Sequence, residues 1–330
     1  MRAPHRNHGC RIRDFHWQGR RCLSMENETL RAVFCPDKGA DILELLHKPT
    51  DTELLFQAPA GLSPPQETAS SALETGAFRD LFPGGWFLML PNGPVPCTHR
   101  GAPYGQHGEA TFLAWSADVI EDRPERISVS FTTRLRRLPL AIERVVTLKP
   151  GGPLHLDETL VNESPQPIEI LWGHHPNFAA PFIEPGCRLR LPPCRASVGG
   201  KIEADAALAA DQYGEWPYLM GRDEVPVNLS LIPGEEVPRS RDFIHLEGFS
   251  EGWFEILNDR RGVGFRLDWD VVRFPSLGFW RMLGGGIDYP WYGRHRIVAL
   301  EPATGFAMTL SLPHGASLST CLAASLFKTD

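Results

Sequence analysis

Trp253-Phe254-Glu255-Ile256-Leu257-Asn258-Asp259-Arg260-Arg261-Gly262-Val263-Gly264-Phe265-Arg266-Leu267-Asp268-Trp269 decides the fold class. Apolar residues recur with period two on both sides of the Asn258–Gly262 centre, most regularly at Val263, Phe265, Leu267 and Trp269. That period belongs to a strand with one buried face. Asn258, Asp259 and Gly262 supply the backbone angles of a turn. The stretch therefore reads as two antiparallel strands joined in a hairpin.

Working outward, the same text recurs. Toward the C-terminus come Leu277–Met282, Ile297–Glu301, Phe306–Leu312 and Ser317–Ser325. Toward the N-terminus, Ile127-Ser128-Val129-Ser130-Phe131 alternates strictly, and Leu138–Ile142, Val145–Leu148 and Leu154–Asp157 follow it. Ala110–Trp115 and Glu53–Phe56 read as further strands. Leu30–Cys35 and Ala40–Leu46 flank a Pro36-Asp37-Lys38-Gly39 turn, which argues for another hairpin. Ala204–Asp211 alone suggests a short helix. There are about fifteen or more short strands, no βαβ rhythm and no internal repeat. The expectation is an all-β fold, a large antiparallel β-sandwich. Segment 1–21 reads as a flexible N-terminal segment and 22–330 as a single β-sandwich domain.

Composition narrows the function classes. The chain has 330 residues, 42% hydrophobic and 22% charged, with a net charge of −7. A basic surface for nucleic acid is not expected. No apolar run approaches the length of a membrane span, and the N-terminus lacks the apolar core of a signal peptide. The seven cysteines are scattered, with no CxxC spacing, and read as reduced thiols of a cytoplasmic protein. Nucleotide-loop, HExxH and GxSxG motifs are absent. No metal and no cofactor are expected. The expected partner is a small molecule, and the chain is expected to be a monomer or homodimer.

Chemistry concentrates at Leu171-Trp172-Gly173-His174-His175-Pro176-Asn177-Phe178. Pro176 keeps His175 out of the helical region. Neighbouring side chains of an extended segment point to opposite faces, so one histidine faces a cleft and the other packs or meets solvent. Histidine suits proton transfer near neutral pH. Glu301 ends an apolar run before Pro302. It reads either as a solvated strand-end carboxylate or as a buried general base with a raised pKa. His107, in Gln106-His107-Gly108-Glu109, stands just before the expected strand at Ala110. The long turn-rich stretch from Ala58 to Pro96 carries Arg79, Asp80 and Trp86. Trp86 and Trp291 lie in turn-rich text, where aromatic faces suit a sugar ring.

The chain resembles the aldose 1-epimerase (galactose mutarotase-like) superfamily, most of all its bacterial branch. The resemblance rests on Trp172-Gly173-His174-His175-Pro176 and on Tyr289-Pro290-Trp291-Tyr292-Gly293-Arg294 through Ala299-Leu300-Glu301-Pro302. It implies a supersandwich with a sugar site on one sheet face. His175-Pro176-Asn177-Phe178 matches the family's His-x-x-Phe element, and Glu301 matches its late glutamate. These two would be catalytic, the glutamate taking the anomeric proton and the histidine donating to the ring oxygen. His107, Arg79, His174, Trp280 and Trp291 would bind substrate. The sequence has His174 where the family opens this element with Asn, and it offers no match for the family's hydroxyl-binding aspartate. Two alternatives remain open: a non-catalytic carbohydrate-binding protein, and a glycosidase or lyase on the same scaffold.

Overall fold

The computed structural model describes residues 6–67 and 76–329. The period-two segments become strands of two large antiparallel sheets. The 12-stranded sheet runs Arg11–Trp17, Arg20–Glu26, Leu30–Cys35, Asp41–His47, Trp86–Met89, Gly173–Ala179, Arg296–Ala303, Ser276–Leu283, Ser240–Glu247, Arg195–Val198 and Gln212–Glu215, with Thr52–Glu53 attached to Asp41–His47. The 8-stranded sheet runs Arg188–Arg190, Trp253–Asn258, Val263–Trp269, Ser317–Phe327, Leu154–Asn162, Leu140–Leu148, Arg126–Arg134 and Ser116–Arg123. The architecture is the expected antiparallel β-sandwich.

Alternation explains how the sheets stack. In Gly173–Ala179 the even residues His174 and Phe178 face inward, and Phe178 packs on Phe254 and Phe265 of the second sheet. In Arg296–Ala303 the inward residues are Val298 and Leu300, both within the main core. The odd residues face outward, where two smaller apolar clusters form. One holds Phe78, Phe87, Met89, Leu171 and Ala303. The other holds Phe56, Ala179, Met282 and Ile297, with Trp280 and Trp291 against it. His175 and Glu301 lie between them along their strands.

Several local expectations are corrected. Residues 11–17, placed in a flexible segment, form an edge strand paired along its length with Arg20–Glu26. Its outward, polar character made it read as frayed; residues 1–5 lie outside the described residues. Ala204–Asp211 forms turns rather than a helix. Ala110–Phe112 is a 3-10 turn rather than the start of a strand. The 58–96 stretch contains a helix, Gly76–Leu81, which the turn-rich text concealed; its residues 68–75 lie outside the described residues. No described helix is long and apolar enough to cross a membrane.

Candidate active site

The site is built by strand register. Gly173 pairs with Ala303 and Asn177 with Ala299, so His175 and Glu301 are cross-strand neighbours. His175 pairs with Phe87 on its other side, Glu301 with Gly278, and Gly278 with His245. One row across the outer face therefore reads Phe87, His175, Glu301, Gly278, His245. The register brings His175 Nε2 to 3.1 Å from Glu301 Oε1. The Phe87 ring stacks on the imidazole at 4.6 Å and 23°. Gly278 leaves room for the carboxylate: a Cβ there would lie 3.2 Å from Glu301 Oε2 and 3.0 Å from the Phe243 ring.

The pair stands in a cavity of about 320 Å³, at the small end of ligand sites. Aromatic rings form an arc around it. Phe87 meets Phe78 at 5.2 Å, Phe78 stacks on Phe82 at 5.0 Å, Phe82 meets Trp291, and Trp291 meets Trp280 at 5.4 Å. The lining also includes the polar side chains Gln106, Asn177, Glu203, Arg241 and Asp242. Tyr289 donates a hydrogen bond to Asp80 and ties the Trp291 loop to the helix carrying Arg79.

Burial sets the charge state. Glu301 is 3% exposed, and burial pushes its carboxyl up to about 8. Burial pushes the His175 imidazole down to about 3. Removing a charge from water costs several kcal/mol; nothing opposes it at Glu301, and at His175 a hydrogen bond to its own backbone opposes it only in part. Burial therefore favours a carboxylic acid beside a neutral imidazole. The raised carboxyl fits the buried alternative for Glu301, whereas the glutamate-base and histidine-acid roles that the resemblance implies start from the opposite protonation. Glu301 Oε1 and His175 Nδ1 both lack a hydrogen-bond partner. They are close without being aligned, and that leaves hydrogen-bonding capacity for a ligand.

His107 joins the same group. Its backbone is left-handed (φ +64°), and Gly108 follows in the same region. A Cβ on Gly108 would lie 2.2 Å from the Leu90 carbonyl oxygen, so only glycine fits there. This turn directs the His107 ring edge-on to His175 at 5.1 Å. Burial, reinforced by His175, holds His107 well below its ordinary value. Its Nδ1 also lacks a partner.

The structure gathers His175, Glu301, His107, Arg79, Trp280 and Trp291 around one cavity. It does not bring His174 there. His174 points into the sandwich core, where Trp86 Nε1 donates to its Nδ1 at 3.2 Å. Because indole is a donor only, the imidazole proton sits on Nε2 and is donated to Glu158 Oε2 at 3.2 Å. Trp86 likewise serves the core rather than the cavity. Arg294 and Arg296 do not line the cavity: Arg294 lies over the Tyr292 ring, and Arg296 donates to the Pro233 carbonyl. Among the described residues, no group of three or more His, Cys, Asp or Glu side chains is arranged to hold a metal ion.

Sequence reasoning missed Arg241, Asp242 and Phe243, which the strand Ser240–Glu247 presents to the cavity. Asp242 is buried and already holds three donors. It accepts from the backbone N–H groups of Ala207 and Leu208 and pairs with the buried Arg281 at 3.0 Å. The charged doublet before an alternating Phe-Ile-His-Leu run was the available signal.

Residues 17–313 match the family described as a domain of unknown function, DUF4432. The chain belongs to this family. No curated protein matches it. Among solved structures, this DUF4432 chain is similar to a candidate aldose 1-epimerase from Klebsiella pneumoniae, at 15% identity over 97% of this chain and 88% of that one, TM-score 0.73. It is also similar to a galactose mutarotase-like protein from Clostridium acetobutylicum, at 13% identity over 97% and 99%, TM-score 0.64. A galactose mutarotase related enzyme from Lactobacillus acidophilus shares 18% identity over 94% and 98%, TM-score 0.60. At these identities the likeness establishes the fold, a galactose mutarotase-like β-sandwich.

Proposed function

We propose that this DUF4432 protein is an aldose 1-epimerase, interconverting the α and β anomers of a sugar. The observation that carries the reading is the buried His175–Glu301 pair, 3.1 Å apart with unsatisfied atoms on both members, at one wall of an aromatic-lined cavity. Mutarotation moves one proton from the anomeric hydroxyl and delivers one to the ring oxygen. Both oxygens are bonded to the same carbon, so adjacent acid and base groups can serve them from one side.

In the resting state Glu301 holds the proton and His175 has a free lone pair. His175 accepts the anomeric proton while Glu301 protonates the ring oxygen. The bond from the anomeric carbon to the ring oxygen breaks, and the anomeric C–O becomes a carbonyl. Rotation of the opened aldehyde and reversal of both transfers give the other anomer and restore the pair. No net redox change occurs. The aromatic arc supplies surfaces for the sugar's C–H face, and His107 and Asn177 offer unpaired polar atoms to its oxygens.

A typical glycosidase needs two carboxylates flanking the scissile bond. Asp242 is buried and tied to Ala207, Leu208 and Arg281, and Glu203 is exposed and held by Arg241. This favours the epimerase over a hydrolase.

Polarimetry of freshly dissolved α-D-glucose, α-D-galactose and a panel of other aldoses tests the reading. Wild type is expected to exceed the buffer rate for at least one sugar, and both His175→Ala and Glu301→Gln are expected to lose the excess. Binding of a sugar with no acceleration across the panel would replace the enzyme with a carbohydrate-binding protein.

A further inference from the structure

The polar part of the cavity lining carries a charge arrangement that bears on which sugars enter. We propose that Arg241 and Glu203 are the specificity-determining pair of this site. They read hydroxyls remote from the anomeric carbon and select an uncharged sugar against a sugar phosphate. This rests on the sugar-epimerase reading above.

Both side chains line the cavity. Arg241 Nη2 donates to Glu203 Oε2 at 2.8 Å and lies 3.6 Å from Asp205 Oδ1. Asp205 is fixed in turn by the Gly286 backbone N–H, and the Arg241 backbone N–H donates to the Asp205 carbonyl. The guanidinium is thus held in place at the cavity wall. Glu203 presents a carboxylate that is more than half exposed on its side chain. The neighbouring Asp242 is engaged by Ala207, Leu208 and Arg281. What remains is a donor beside an acceptor, matching a sugar hydroxyl, which accepts one hydrogen bond and donates another.

The same geometry disfavours a phosphate. The positive charge of Arg241 is already opposed by Glu203 and Asp205. A phosphate dianion placed there would meet the Glu203 carboxylate and an Arg241 charge that is already compensated. The other cation lining the cavity, Arg79, is exposed on the helix Gly76–Leu81, where water screens it.

The test is an NMR titration of D-glucose and D-galactose, and of their 6-phosphates, into wild type, Glu203→Gln and Arg241→Gln. In wild type a neutral sugar is expected to bind roughly tenfold or more tightly than its 6-phosphate. Glu203→Gln should weaken the neutral sugar, tighten the 6-phosphate and erase most of that ratio. Arg241→Gln should weaken the neutral sugar by about tenfold. Tighter binding of the 6-phosphate by wild type, a ratio unmoved by Glu203→Gln, or no binding of either class would overturn the proposal. Anomer exchange is scored separately. Discrimination without exchange would remove the epimerase reading alone, and exchange with a preference for the 6-phosphate would remove this proposal alone.

Discussion

The strand Gly173–Ala179 carries a His–Glu pair on each face. On the inner face His174 Nε2 stands 3.2 Å from Glu158 Oε2; on the outer face His175 Nε2 stands 3.1 Å from Glu301 Oε1. All four side chains are buried, yet the two carboxyls move in opposite directions. Burial alone would raise Glu158, but Arg144 and His174 outweigh it and hold the carboxyl at about 2. Glu301 has burial without those partners and rises to about 8. Arg144 Nε reaches Glu158 at 2.5 Å, and Trp172 Nε1 donates at 3.0 Å. Donor supply, rather than residue type or distance, separates a structural bolt between the sheets from the proposed proton-transfer pair.

The largest effect should come from breaking the outer pair. His175→Ala and Glu301→Gln are each expected to lower kcat for anomer exchange by roughly 10²–10⁴-fold, with the fold retained by circular dichroism. Breaking the inner pair should act on stability. Glu158→Gln leaves Arg144 buried and uncompensated and should cost about 3–5 kcal/mol in denaturant unfolding.

The pH dependence sharpens the contrast. The lowered Glu158 favours the folded state above about 4.5, and that contribution is lost as pH falls toward about 2. The raised Glu301 works the other way. The folded protein holds a proton that the unfolded chain releases, so its contribution declines as pH rises from about 4.5 to about 8. Glu301→Gln should therefore be more stable than wild type near pH 8, by on the order of a few kcal/mol, and the gain should shrink toward pH 4.5. No gain at pH 8 would mean that the carboxylate is not destabilised. The smallest effect is expected for Trp86→Phe, which removes the donor to His174 and keeps most of the ring. It should cost about 2–3 kcal/mol, from the lost hydrogen bond and the cavity left by the smaller ring, in the same unfolding assay.

The two histidines also mark how far the sequence could be read. Alternation made the sandwich legible, because a strand with one wet face writes period two into its residues. The His-x-x-Phe element and the glutamate before Pro302 made His175 and Glu301 legible as residue types. Alternation also required His174 and His175 to part. Naming His174 as a ligand contact nevertheless failed, since its true partners, Glu158 and Trp86, come from strands whose register no local pattern reveals. Trp86 failed for the same reason. Its Gly84-Gly85 approach looked like a loop rim, and pairing with Ile42 and Pro176 makes it core. The edge strand Arg11–Trp17 was hidden because exposed, charged edge residues carry no apolar period. At Ala110–Phe112 the chain turns away from strand pairing. There Glu109 accepts from the backbone N–H groups of Arg136 and Arg137, a contact 27 residues distant that local propensity cannot register.

Carboxyl-carbon NMR of the two glutamates in one sample, titrated from pH 3 to pH 9, tests the central contrast most directly, with Glu158→Gln and Glu301→Gln providing the assignments. The account predicts that Glu158 stays ionised throughout while Glu301 titrates near 8. Titration of both carboxyls in the ordinary range near 4.5, or of Glu301 below Glu158, would contradict it.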